Sequence, residues 1–164
     1  MADLNPYMRF RRMILGLRRS DYEMVIRQHR VHAVLVDTFM DGSIFSVACV
    51  VDGSFSLYYG EGGGIIGMGQ KYKELAMAAR AFVYGAEQAI PNCEAAESFD
   101  LPGDEERCFY LVTDGQVFKT ISKMGSMATD PKQIQILNFV LDKVMEVFFE
   151  CIGKEKAERG ESSL

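Results

Sequence analysis

The hydrophobic pattern changes period along the chain. Leu4, Met8, Phe10, Met13, Ile14 and Leu17 recur at helical spacing, which predicts a helix over 4–17 that Gly16 weakens. Ser20 followed by Glu23 is a capping-box pattern, so a second short helix is expected from Asp21, carrying Tyr22, Val25 and Ile26. From Val31 the period drops to two. The pairs Asp41-Gly42, Asp52-Gly53 and Asp114-Gly115 each stand between β-branched and aromatic residues. Asp-Gly readily takes the positive φ angles of a two-residue hairpin turn, so strands are expected at 31–40, 43–51, 54–59, 107–113 and 116–122. In that register Met40 faces Ser43 and Val51 faces Ser54. One sheet face then collects Val34, Val36, Phe45, Val47, Cys49 and Val51; the other collects Leu35, Phe39, Ile44, Ala48, Val50, Phe55, Leu57 and Tyr59. Neither face is polar, which implies that helices or a partner subunit cover both.

The helical period returns at 70–90, where Tyr72, Leu75, Ala76, Ala79, Phe82, Val83, Ala86 and Ile90 form an apolar stripe closed by Pro91. Residues 91–106 read as a long acidic connection. The last helix is expected from Asp130-Pro131 to about Ile152, with a flexible charged tail over 154–164. The element order α-β-β-β-α-β-β-α predicts a single α+β domain over 1–153. Its sheet would have five antiparallel strands, a three-stranded meander plus a hairpin, packed by N-terminal, central and C-terminal helices.

Composition sets the class of partner. The chain has 164 residues, 48% of them hydrophobic, with a net charge of −5. An acidic chain lacks the basic footprint of a nucleic-acid binder. The charge is uneven, however. Residues 1–30 hold seven Arg against Asp3, Asp21 and Glu23, a net of +4 that leaves −9 on the rest. Such a basic segment is either a solvated helix face or a dock for an acidic partner or membrane surface. Cys49, Cys93, Cys108 and Cys151 lack metal-clip spacing, so neither a metal site nor a disulfide framework is expected. Reduced thiols and the lack of a signal-peptide pattern favour the cytoplasm. The most apolar stretch, 134–152, holds Asp142, Lys143, Glu146 and Glu150, too many charges for a membrane span.

Six of the fifteen glycines lie between Gly60 and Gly69, in a segment joining a strand to a helix. Gly62, Gly64 and Gly67 formally match Gly-x-Gly-x-x-Gly, but the preceding strand belongs to a hairpin meander rather than to a parallel β-α-β unit. No nucleotide or other cofactor is therefore expected. Two readings stand. In one, the glycines let the chain turn tightly while Ile65, Ile66 and Met68 anchor it. In the other, Gly62, Gly63, Gly64, Gly67 and Gly69 present backbone N–H groups to a small anion, with Lys71 and Lys73 as counter-charge. His29 and His32 near Asp37 are the only acid–base grouping considered. No nucleophile elbow accompanies them, so no catalytic residue is assigned.

The C-terminal helix carries the strongest signal for assembly. Residues 134–152 hold 13 apolar residues in 19. Ile134, Leu137, Leu141, Val144, Phe148 and Cys151 form one seam, while Phe139 and Phe149 project into a polar arc of Gln135, Asn138, Asp142, Lys143, Glu146 and Glu150. That apolar surface exceeds what one sheet requires, so a symmetric homodimer is expected, with Val144, Phe148, Phe139 and Phe149 as interface residues. Cover by the N-terminal helix is the competing explanation. In element order, size and acidic pI the chain is similar to the small dimeric chaperones of type III secretion, and more distantly to profilin-like and roadblock-like modules. That similarity implies a non-enzymatic, homodimeric adaptor or chaperone-like interaction module. The alternative is a ligand- or anion-binding regulatory domain built on Gly60–Lys71.

Overall fold

The computed structural model describes residues 5–24 and 28–160. Its strands are β1 (Ala33–Met40), β2 (Ser43–Val50), β3 (Phe55–Tyr59), β4 (Gly64–Ile66), β5 (Glu94–Ala95), β6 (Glu106–Thr113) and β7 (Gln116–Lys123). They form one antiparallel sheet in the order β4-β3-β2-β1-β6-β7-β5. The α+β class stands, and the expected five-stranded sheet is corrected to seven. Both additional strands come from segments read as connections. Gly62 and Gly63, at φ +115° and +83°, reverse the chain so that Gly64–Ile66 pairs back onto β3. Two residues of the acidic connection, Glu94 and Ala95, pair with Lys119 and Phe118 at the far edge.

The three Asp-Gly pairs all form tight turns with glycine at positive φ, +75° at Gly42, +94° at Gly53 and +72° at Gly115. The first and third are two-residue loops, closed by Met40 opposite Ser43 and Thr113 opposite Gln116. The second holds one residue more. Cys49 pairs with Phe55, Gly53 N–H donates to Val50 O, and Val50 N–H donates to Ser54 O. Val51 is therefore inside the loop and does not face Ser54. Because side chains alternate, this single step turns β3 over. Phe55 and Leu57 lie on the face of Val47 and Cys49, not on the face of Ala48 and Val50.

Helices cover both faces. Helix α1 (Pro6–Leu15) starts at the Asn5 cap and lays Tyr7, Phe10, Arg11 and Ile14 on one face, over Leu35, Ala48, Val50 and Tyr110. Phe10 stacks on Tyr58 with ring centres 4.5 Å apart. The short α2 (Met68–Lys71) and the longer α3 (Lys73–Ala86) and α4 (Lys132–Glu158) cover the other face. There Val34, Val36, Val47, Cys49, Phe55, Leu57, Phe109 and Leu111 meet Leu75, Phe82, Leu137, Leu141 and Phe148. Each such fully buried side chain contributes about 1.5–3 kcal/mol. The seam predicted for the last helix is its buried face: Ile134, Leu137, Leu141, Val144, Phe148 and Cys151 are all at most 3% exposed.

Three further boundaries differ from expectation. Residues 19–21 form a single 3-10 turn and Tyr22 is extended, so no second helix begins at Asp21; Val25 and Ile26 lie outside the described residues. The helix expected over 70–90 is interrupted at Tyr72, and a 3-10 segment follows Ala86. Helix α4, expected to end near Ile152, runs on to Glu158, and along that last turn and a half Lys154 pairs with Glu74 at 2.8 Å and Glu155 with Lys71 at 2.7 Å.

Candidate functional site

The glycine-rich segment is a structured hairpin and helix entry. Gly67 takes φ +83° as the cap of α2. Gly69 presses against the β2–β3 turn, where a Cβ would overlap the Gly53 carbonyl oxygen. Gly64 crosses Tyr58 so closely that a Cβ would lie 2.6 Å from the Leu57 carbonyl oxygen. Ile65 is half-buried against the core and Ile66 is exposed. Lys71, expected as counter-charge for an anion, pairs instead with Glu155 and, at 4.0 Å, with Glu158. Lys73 is exposed at the start of α3. The β3–β4 hairpin thus places Gly62, Gly63 and Gly64, and the entry and packing of α2 place Gly67, Gly69 and Lys71.

The four α4 residues expected at an interface divide in two. Val144 and Phe148 are buried in the chain's own core, Phe148 against Phe55 at 4.8 Å. Phe139 and Phe149 stand in solvent, each 61% exposed. Ile136 lies one turn from Phe139, and the Lys143 ammonium sits 5.2 Å above the Phe139 ring. Helix α1 lies on the opposite face of the sheet and covers none of them.

Asp37 is not grouped with the histidines. It points from the middle of β1 into the α1 face, where Arg11 donates from Nε at 3.0 Å and from Nη2 at 2.7 Å to Oδ2. Ser46 donates to the other oxygen at 2.5 Å. Its single proton is spent there, so Tyr7 donates to Ser46 at 2.8 Å. Burial, reinforced by the Asp37 carboxylate, pushes the Tyr7 phenol up to about 12. Burial opposes the Arg11 charge, and the bonded Asp37 more than restores it. An acidic residue amid Val34, Leu35, Val36 and Phe39 was the available signal: such a strand position needs a cation from whatever covers it.

Both histidines are buried structural groups. His32 donates from Nε2 to the Leu17 carbonyl at 2.7 Å. His29 lies 3.4 Å from Glu87 and 4.5 Å, ring to ring, from Tyr84. Burial lowers its pKa despite the neighbouring carboxylate. Glu87 accepts from the backbone N–H groups of Arg30 and Val31, which together with the Arg30 side chain outweigh its burial and hold its carboxyl low. Sequence reasoning also missed Arg107 on β6, which reaches Thr38 at 3.1 Å and Asn138 of α4 at 3.0 Å. Asn138, placed by the sequence in the polar arc of the helix, is buried.

The thiols of Cys49, Cys108 and Cys151 are buried and that of Cys93 half-buried. Burial pushes Cys93 and Cys108 up to about 11, and Cys49 higher still, so these sulfurs stay protonated and unreactive at neutral pH. Among the described residues no three His, Cys, Asp or Glu side chains converge as metal ligands, and no helix is long and apolar enough to cross a membrane. No family model, curated protein or solved structure matches the chain.

Proposed function

We propose that this protein is a non-enzymatic interaction module, adaptor or chaperone-like in role, that self-associates as a homodimer through the outer surface of α4. The observation that carries the reading is the pair Phe139 and Phe149, each 61% exposed on a helix whose opposite face is filled by the chain's own core. A helix that only covers a sheet has no use for aromatic side chains there. The one segment of the chain that competed to cover them, α1, is committed to the other face. Aromatic side chains ringed by charge are the usual anchors of an interface, and a two-fold axis presents one patch twice. The chemistry of the buried groups supports a binding role: the thiols are held protonated, Asp37 is consumed by Arg11, and His32 is spent on a backbone carbonyl. Light scattering on the full chain tests the reading. A mass of twice 18.4 kDa at micromolar concentration supports it, and a monomer at that concentration refutes it.

A further inference from the structure

A second surface lies on the other side of the sheet. The flank of α1 and the segment 96–101 bound an open cleft of about 440 Å³, lined by Met8, Arg11, Arg12, Leu15, Gly16 and Phe99. Past Leu15, Gly16 and Phe99 it runs on into a concavity of about 360 Å³ beside the β6–β7 turn, with Arg18 on its rim. We propose that this continuous cleft docks an acidic peptide segment carrying apolar side chains, contributed by a different protein. The surface used is separate from α4, so the proposal does not depend on self-association.

Shape, floor and rim each select that occupant. From Met8 to Gly16 the helix side of the cleft is about 12 Å long, and the cleft continues beyond it, a track suited to an extended chain. Beside α1 the floor is apolar and Phe99 remains 45% exposed there, whereas the far concavity is lined more by polar groups. Aromatic and aliphatic surface left open between charged groups is the arrangement of a peptide-binding groove.

The rim is cationic in a chain that is otherwise acidic. Arg12 and Arg18 form no ion pair with another described residue. Arg11 lies beneath the cleft with its charge met by Asp37 and its Nη2 also bonded to the Phe99 carbonyl at 2.9 Å, so the positive charge of the rim is that of Arg12 and Arg18. The one carboxylate lining the far end, Asp114, accepts from the Arg19 N–H at 2.8 Å. A basic peptide would meet repulsion here, and an acidic one would be steered in.

Panning a display library of random dodecapeptides on the immobilised full chain tests this. The expected clones combine Asp or Glu with Leu, Ile or Phe. Synthetic copies should lose roughly tenfold in affinity for an Arg12→Glu/Arg18→Glu variant and for Phe99→Ala. Affinity for a Lys123→Glu/Lys132→Glu variant, with the same change in net charge elsewhere, should be unchanged. Circular dichroism establishes that each variant is folded; all five side chains are exposed, so none holds the core. Clones lacking acidic residues, clones indifferent to the arginine changes, or no enrichment at all would overturn the proposal. So would binding to phosphatidylserine vesicles with none to the peptides, which would make the strip a lipid-facing surface.

Discussion

Arg11 of α1 and Asp37 of the central strand β1 grip one another through two N–H bonds to a single carboxylate oxygen, with both side chains at most 3% exposed. The pair fastens the N-terminal helix to the middle of the sheet. Asp37 is held there because both its oxygens are bonded: Arg11 donates to one and Ser46 to the other, and Tyr7 donates to Ser46 in turn. An ion pair so far from water is stable as a pair and damaging when halved.

Arg11→Met should therefore destabilise the fold by about 3–5 kcal/mol, since it leaves the Asp37 charge buried without compensation. The double variant Arg11→Met/Asp37→Leu should recover most of that loss, because both desolvation penalties vanish together. Urea unfolding of the wild type, both single variants and the double variant measures the coupling. A single variant as mild as a surface substitution would contradict the buried fork.

Two glycines should respond differently to the same substitution. At Gly42 the backbone is at φ +75° and nothing lies within 4 Å, so Gly42→Ala meets only backbone strain, about 1 kcal/mol. At Gly69 the added methyl overlaps the Gly53 carbonyl, and two backbone segments must separate. Gly69→Ala should exceed Gly42→Ala by about 1–3 kcal/mol in chemical denaturation. Equal effects would mean that α2 does not press on the β2–β3 turn.

Stability should fall as pH drops below the ordinary histidine range. The His29 pKa in the folded chain is lowered from 6.5, mainly by burial, so the unfolded chain takes up that proton first. The stabilisation is complete above the unfolded value of about 6.5 and is lost as pH falls through the lower folded value. Glu87, also held below its ordinary 4.5, loses its contribution only in more acidic solution. Urea midpoints between pH 5 and 8 should rise with pH, and His29→Gln should flatten that slope. An unchanged slope in the variant would remove His29 as its source.

If the proposed self-association runs through α4, Phe139→Glu/Phe149→Glu should abolish it and leave a monomer without loss of secondary structure. Both side chains are exposed in the single chain, so the change does not disturb the core. Val144→Ala and Phe148→Ala should instead lower stability, the phenylalanine by about 3–5 kcal/mol, because both side chains are buried against the sheet. Sedimentation velocity and thermal unfolding separate the two outcomes. A double variant that remains dimeric places the interface elsewhere.

Local chemistry in the sequence determines much of this fold. Asp-Gly between alternating strands specifies three of the hairpin reversals, and the spacing of Ile134, Leu137, Leu141, Val144, Phe148 and Cys151 specifies the buried face of α4. Both kinds of signal act within a few residues, where backbone geometry leaves few alternatives. The tertiary structure alone decided what depends on distant partners. A two-residue and a three-residue loop are both compatible with Asp52-Gly53; the need to bury Phe55 against Phe148 and Leu57 beside Val47 selects the longer one and turns β3 over. Strands β4 and β5 are too short to show a period, and exist because β3 and β7 offer them unpaired edges. In the sequence Asp37 reads as a neighbour of the histidines, Lys71 as a counter-charge and Asn138 as part of a polar arc. Arg11, Arg107 and Glu155, each more than 25 residues away along the chain or on another element, occupy them. The glycine-rich segment is open in the sequence to both a tight turn and an anion cradle because glycine permits close approach; at Gly64 and Gly69 the neighbour that approaches is the protein's own backbone.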